Sequence, residues 1–268
     1  EQDGAMPKMP YDKVLYSLEN GVARISMNDP ATRNAGSAQM GEELFDALSR
    51  AASEARAVLL TGEGKAFCSG ANLGDARDML DDPRRDVGTL LDRHFNPVII
   101  AMRDMEQPLV TAVRGAAAGV GAGLAMAGDL IVCGESGFFL QAFRHVGLVP
   151  DGGSSWLLTR SIGRVRAMEM MLLGERLPAA KALEWGLVNR VVADEAVETV
   201  AMALACELAQ GPWSLRRIKQ VAWAAADCTL EQALTQERLG QRDASRTEDF
   251  VEGVTAFSEK RSPVFKGR

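Results

Sequence analysis

The sequence predicts an α/β protein ending in a helical appendage, and three observations carry that reading. Two short apolar runs meet at an Asn-Gly step near the start. Strand-like and helix-like segments then alternate as far as Val192, and from Glu195 to Ser258 helical patterns follow one another with no convincing strand.

Val14 to Leu18 and Val22 to Met27 flank Glu19-Asn20-Gly21, a strong hairpin signal, because Asn and Gly tolerate the positive φ angles of a tight turn. Ser37 is placed to cap a helix whose Met40, Leu44, Leu48 and Ala51 recur at helical spacing; Ala57 to Thr61 then reads as a buried strand. Asp75 to Asp86, charged and interrupted by Pro83, offers little to bury and is expected to be a mobile loop or frayed helix that could border a substrate site. Leu90 to Met105 reads as a helix around Pro97, Leu109 to Val113 as a strand, Val120 to Ala127 as a short helix of small residues, and Ile131-Val132 as the start of another strand. Helical patterns follow at Ser154 to Ile162, Val165 to Leu173 and Ala179 to Trp185, and Val188 to Val192 closes the sheet. The last four helices are broken at Gly211-Pro212, at Asp227-Cys228-Thr229 and near Ser245. Trp213, Leu215, Ile218, Val221 and Trp223 give this region enough apolar surface to pack on a neighbouring subunit. The organisation expected is a flexible leader over 1–10, a core over 11–194 and a helical region over 195–268.

With 268 residues, 47% hydrophobic and 25% charged, the chain has the composition of a globular protein with a substantial core. A net charge of -6, with no basic stripe, argues against nucleic acid, while a few placed cations could still bind a small anion. Cys68, Cys133, Cys206 and Cys228 form no C-x-x-C pair, disulfide framework or zinc knuckle, which fits a reducing cytoplasm; no metal site is expected. Gly115 to Ala127 is too short to span a membrane, and Glu1 to Pro10 does not read as a signal peptide.

Gly119-Val120-Gly121-Ala122-Gly123 lies between a strand and a helix, where free N–H groups can meet an anion, although the same glycines would simply let a helix approach the sheet. The spacing is neither G-x-G-x-x-G nor, at Gly62-Glu63-Gly64-Lys65, a P-loop. A second small-residue turn, Ala66-Phe67-Cys68-Ser69-Gly70-Ala71-Asn72-Leu73, follows another buried strand, so two turns could point N–H donors inward. Together with Arg33-Asn34-Ala35, Gly147-Leu148-Val149-Pro150-Asp151-Gly152-Gly153, Arg246-Thr247-Glu248-Asp249-Phe250 and Lys260 to Arg268, this order resembles the crotonase (enoyl-CoA hydratase/isomerase) superfamily over about residues 11 to 268. Within it, the resemblance points to the ring-epoxide isomerases of phenylacetyl-CoA degradation and their relatives.

The resemblance implies a crotonase-like spiral of ββα units with a C-terminal helical trimerisation region, assembled as a homotrimer or a dimer of trimers. It implies an acyl-CoA thioester substrate from fatty-acid or aromatic breakdown, with coenzyme A entering as part of that substrate and no separate cofactor. The family's two oxyanion donors fall on the N–H groups of Ala71 and Val120, and loss of one such donor typically costs about 2.7 to 4 kcal/mol in the transition state. Gly123 and Phe143 stand where typical hydratases carry two glutamates; neither moves a proton, so the usual addition of water is not expected. Asp151 falls where isomerase branches carry an acid/base aspartate, although Pro-Asp-Gly-Gly is also a common turn. Phe143 would desolvate that carboxylate if it lies beside it, and is otherwise a core aromatic. The resemblance places CoA near Arg33, Ala35, Lys65 and Leu73, with Phe265 and Lys266 reaching in from a neighbouring subunit; the alternative for these is a solvated face. His94 reads as a helix-surface residue, His145 as a neighbour of the site without a recognisable triad, and Cys68 as packing. The reading is a double-bond or ring isomerase with a hydratase as alternative, ahead of an aryl-CoA dehalogenase or a non-catalytic CoA-binding subunit.

Overall fold

The computed structural model describes residues 11–72, 74, 77 and 80–268. The expected leader, Leu73 and part of the Asp75 to Asp86 segment lie outside them; its described portion from Leu80 to Asp86 is an exposed series of turns.

Strands β1 (Val14–Glu19) and β2 (Val22–Met27) pair antiparallel from Val14 with Met27 to Glu19 with Val22. Asn20 and Gly21 both take positive φ, 52° and 78°, as a two-residue hairpin turn matching strand twist requires. Ser37 caps helix α1 (Ala38–Glu54) by accepting from the Met40 N–H at 3.2 Å, and Met40, Leu44, Leu48 and Ala51 form its buried face. Strands β3 (Ala57–Gly62) and β4 (Leu109–Val113) extend the sheet in parallel. Between them Gly88 begins a helix that passes through a π turn at Leu91–Phe95 into α2 (Asn96–Asp104). Pro97 explains the widened turn, because it has no N–H to offer the Arg93 carbonyl and its ring pushes that carbonyl away.

From β4 the chain turns into a second layer: β5 (Ala116–Ala118), then helix α3 (Val120–Met126). The next circuit returns through β6 (Leu130–Gly134) and turns again into β7 (Phe138–Leu140), beside β5. After a 3-10 turn at Ala142–Val146 come α4 (Ser154–Ser161), α5 (Gly163–Leu173), β8 (Arg176–Pro178), α6 (Ala179–Glu184) and β9 (Arg190–Val192). The large sheet runs β1-β2-β3-β4-β6-β9 and the small one β5-β7-β8. Isolated bridges between Gly36 and Ala71 and between Cys68 and Ala117 continue the second layer. Repeated strand, turn, short strand and helix is the ββα spiral. The three-residue strands β5, β7 and β8 escaped the sequence reading because Ala-Ala-Ala, Phe-Phe-Leu and Arg-Leu-Pro are too short to show a period.

Alternation along β3 divides the core. Val58 and Leu60 face α1 and α2 with Ile25, Phe67, Met102 and Leu109. Ala57 and Leu59 face the opposite side with Val110 and Val132, where Val197, Ala201, Leu204 and Ala205 of α7 (Val197–Ala209) cover them. The remaining helices are α8 (Ser214–Ala225), α9 (Leu230–Ala244) and α10 (Glu248–Glu259). Through α7 the C-terminal helical region is therefore continuous with the sheet.

Candidate active site

The loop carrying Ala71 is fastened from one side by residues 33–36. Asn34, wholly buried with φ at 58°, donates through Nδ2 to the carbonyls of Ala66 at 2.8 Å and Glu63 at 2.9 Å, and its Oδ1 accepts from the Asp29 N–H at 2.8 Å. The Ser69 N–H donates to Arg33, the Gly36 N–H to Gly70 and the Asn72 N–H to Gly36. In such a parallel bridge the residue between the bonded neighbours turns its own N–H the other way. The Ala71 N–H has no partner among the described residues.

Val120 follows Gly119, whose φ of 52° turns the chain sharply between β5 and α3 while its N–H donates to Leu140 at 2.9 Å. As the first residue of α3, Val120 has no preceding helical carbonyl to bond, and its N–H is likewise unpartnered among the described residues. The two loops touch. A Cβ added to Gly119 would lie 3.6 Å from the Cα of Gly70, and one on Gly121 would meet the Cys68 Cβ at 2.6 Å. Only glycine at 121 lets α3 settle so close to the Ala71 loop, and Cys68 is the packing surface it settles on.

Asp151 arrives on the turn before α4. Its carbonyl accepts the Ser154 N–H at 2.9 Å, and the next residue, Gly152, rests on α3: a Cβ there would lie 3.2 Å from the Val120 Cα. The carboxyl is thus carried one residue away from contact with the second donor. Its Oδ1 is buried without a hydrogen-bond partner among the described residues, and burial pushes the group up to about 6. Phe143 is buried with its ring toward Gly119, on the loop that carries the Val120 N–H.

Arg33 is exposed and Ala35 half-buried, both in the segment that fastens the Ala71 loop; Lys65 is exposed at the start of that loop. Phe265 and Lys266 belong to another neighbourhood. Phe265 packs toward Gly253, and the Lys266 N–H donates to Asp249 Oδ1 at 2.7 Å while its side chain stays exposed. His145 is held by the Gly174 carbonyl, 2.9 Å from Nε2. His94 is no surface residue: its side chain is 15% exposed and packs on Gly41 of α1, with Nδ1 3.2 Å from Glu42 Oε1.

The sequence reading assigned no role of their own to Asn34, buried as a clamp, or to Gln141, wholly buried after β7 with neither amide atom partnered among the described residues. The Ser154 hydroxyl is likewise buried and unpartnered. A polar residue between apolar strand residues and the Phe143 turn was the available signal for Gln141. Among the described residues, no three His, Cys, Asp or Glu side chains converge as metal ligands, and no helix is long and apolar enough to cross a membrane.

Two unpartnered backbone donors in touching loops, beside a buried carboxyl, form an arrangement suited to stabilising an oxyanion while a proton moves. The chain belongs to the enoyl-CoA hydratase/isomerase family, whose model matches residues 17–268. It is 40% identical over 258 residues to the 1,2-epoxyphenylacetyl-CoA isomerase of Escherichia coli K12, covering 95% of this chain and 98% of that protein. It is also 40% identical over 262 residues to a "Probable enoyl-CoA hydratase" of Rhodobacter capsulatus, covering 97% and 100% respectively. A solved enoyl-CoA hydratase from Bacillus anthracis superposes with a TM-score of 0.90 at 29% identity, covering 96% of this chain and 100% of that one.

Proposed function

We propose that the chain is an enoyl-CoA isomerase, shifting a double bond or rearranging a ring beside an acyl-CoA thioester, with Asp151 as its sole side-chain acid/base. The observation that carries this reading is the half-buried Asp151 carboxyl, whose buried Oδ1 has no partner among the described residues, on the turn that rests against Val120. In the double-bond reaction the carboxylate takes a proton from the α carbon of a β,γ-unsaturated thioester. The released electron pair moves into the thioester carbonyl, and the N–H groups of Ala71 and Val120 hold the enolate oxygen. Collapse of the enolate restores the carbonyl, moves the double bond into conjugation, and draws the proton from Asp151 onto the γ carbon. Nothing is consumed and the thioester bond stays intact, so coenzyme A serves as the binding handle and its thioester as the electron sink, without a further cofactor.

Arg33, Ala35, Lys65 and Leu73 are our candidates for holding CoA, with Phe265 and Lys266 contributed by a neighbouring subunit of a homotrimer or a dimer of trimers. Remote binding of the nucleotide would orient the acyl group over Asp151. Hydration is the second reading, favoured by the name of the Rhodobacter relative; it is disfavoured by the absence of a carboxylate at 123 and 143.

Asp151→Asn tests the proposal. Asparagine keeps the size but accepts no substrate proton, so isomerisation of 3-hexenoyl-CoA should fall about 10²- to 10⁴-fold with thioester affinity little changed. Since the base must be ionised and its pKa is about 6, wild-type kcat/KM should decline as pH drops through 6, a limb missing from the variant's residual rate. Mass spectrometry reads both reactions, because hydration adds the mass of water and isomerisation does not. Wild-type turnover in the variant, or a product heavier by one water, would reject the isomerase reading.

A further inference from the structure

We infer that Gly123 is a positioning residue that sets Asp151 through a bare backbone contact with Gly152, and that the absence of a side chain at 123 is a requirement of the single-aspartate site. This rests on the reading of Asp151 as the acid/base.

Gly123 lies one turn into α3, on the face toward the Pro150–Gly153 turn. A Cβ built on it falls inside the Gly152 carbonyl oxygen and lies 2.9 Å from the Gly152 carbonyl carbon and 3.1 Å from its Cα. Those are backbone atoms, so no rotamer relieves the overlap. From the other side, Gly152 holds φ at 57°, and a Cβ on it would meet Val120 at 3.1 Å from Cγ2 and 3.2 Å from Cα. Two glycines therefore meet with neither able to grow, and their contact fixes how far the Asp151 turn sinks onto the first turn of α3. That depth sets the desolvation of the carboxyl and its placement relative to the Val120 N–H. In this backbone a larger residue at 123 would lift the turn.

The test compares Gly123→Ala with Gly152→Ala, and with Gly163→Ala as a control that imposes left-handed strain where nothing lies within 4 Å. Isomerisation of 3-hexenoyl-CoA and deuterium wash-in at its α carbon are followed across pH 4.5–9, and circular dichroism checks folding. Displacement of about 1 Å can cost about 10²-fold, so Gly123→Ala should lose about that in kcat with KM within about threefold of wild type. The acid limb should move below 6, toward an ordinary carboxyl, as the turn rises into water. Gly152→Ala presses the same turn against Val120 on the same face of α3, where the nearest atom is a movable methyl, and should show both changes to a lesser degree, roughly tenfold in kcat on the same scale. Gly163→Ala should match wild type. If Gly123→Ala does not fold, Gly152→Ala decides alone. Wild-type kcat and acid limb in the folded variants overturn the inference, and so does a loss of kcat with the acid limb unmoved. If Asp151→Asn is inactive while these variants are normal, the positioning role fails and the proposed function stands; if Asp151→Asn is itself fully active, it is the function that fails.

Discussion

An ionised carboxylate at Asp151 is costly because its Oδ1 is buried and accepts no hydrogen bond from the described residues, and the cost falls on the folded state alone. Its folded-state pKa is raised from 3.8 to about 6, so the folded protein holds the extra proton between those values. Stability contributed at this position therefore falls as pH rises from about 4 through 6, and the penalty is complete above 6. Asp151→Asn removes the charge and should raise Tm at pH 8 more than at pH 4.5 in thermal melts; an equal gain at both would show that charge burial is not the cause. Improved stability with lost turnover is the expected exchange at an active site. At this scale the chain's residues announced themselves unevenly. Asp151, Ala71 and Val120 stood in recognisable motifs, whereas the contact of Gly123 with Gly152 and the grip of Asn34 on Ala66 join residues distant in sequence, and no local pattern encodes such a pair.

Helix α8 is attached to the core by a charge placed where solvent barely reaches. Lys219, its side chain 3% exposed, lies 3.0 Å from Asp129 Oδ2 and donates to the carbonyls of Met102 at 2.8 Å and Gln107 at 3.0 Å. Burial pulls its pKa down and Asp129 opposes that pull. Asp129 also accepts from the Leu109 N–H at 2.8 Å and from Trp223 Nε1 at 2.9 Å, and Trp223 stacks on Trp156 of α4. Sheet and α8 thus share one carboxylate, and α4 joins them through the tryptophan stack. Asp129→Ala strands a buried ammonium and should cost about 3–5 kcal/mol in urea unfolding, as removal of one partner of a buried pair does. A loss below about 1 kcal/mol, the range of exposed pairs, would show the attachment to be superficial. Elements themselves were readable wherever they were long or capped: the Asn-Gly hairpin, the Ser37 cap and the four C-terminal helices all stand where their patterns put them. The second sheet was not, because its strands are held by neighbours and not by their own periodicity.

On the scale of the whole molecule, α8, α9 and α10 enclose a groove of about 890 Å³ lined by Ile218, Val221, Phe250, Val254, Phe257 and Phe265. Phe257 is 86% exposed, a large apolar side chain left to water in the isolated chain. The proposed trimer would cover it. Light scattering at micromolar concentration should find an oligomer in wild type and a smaller species in Phe257→Glu; a wild-type monomer would remove the assembly proposal. The spiral carries a further consequence, one of timing. Apart from its opening hairpin the large sheet pairs in parallel, so each partner strand arrives only after a long intervening circuit, and β6 must wait for β9 across four helical or turn elements. Such non-local pairing makes folding slow, since the chain loses loop entropy before the contacts repay it. The two proposed oxyanion donors sit on successive circuits and the Asp151 carboxyl on the one after, so the proposed site comes into being only when three rounds of the coil have closed, and a partly folded chain has helices before it has that chemistry.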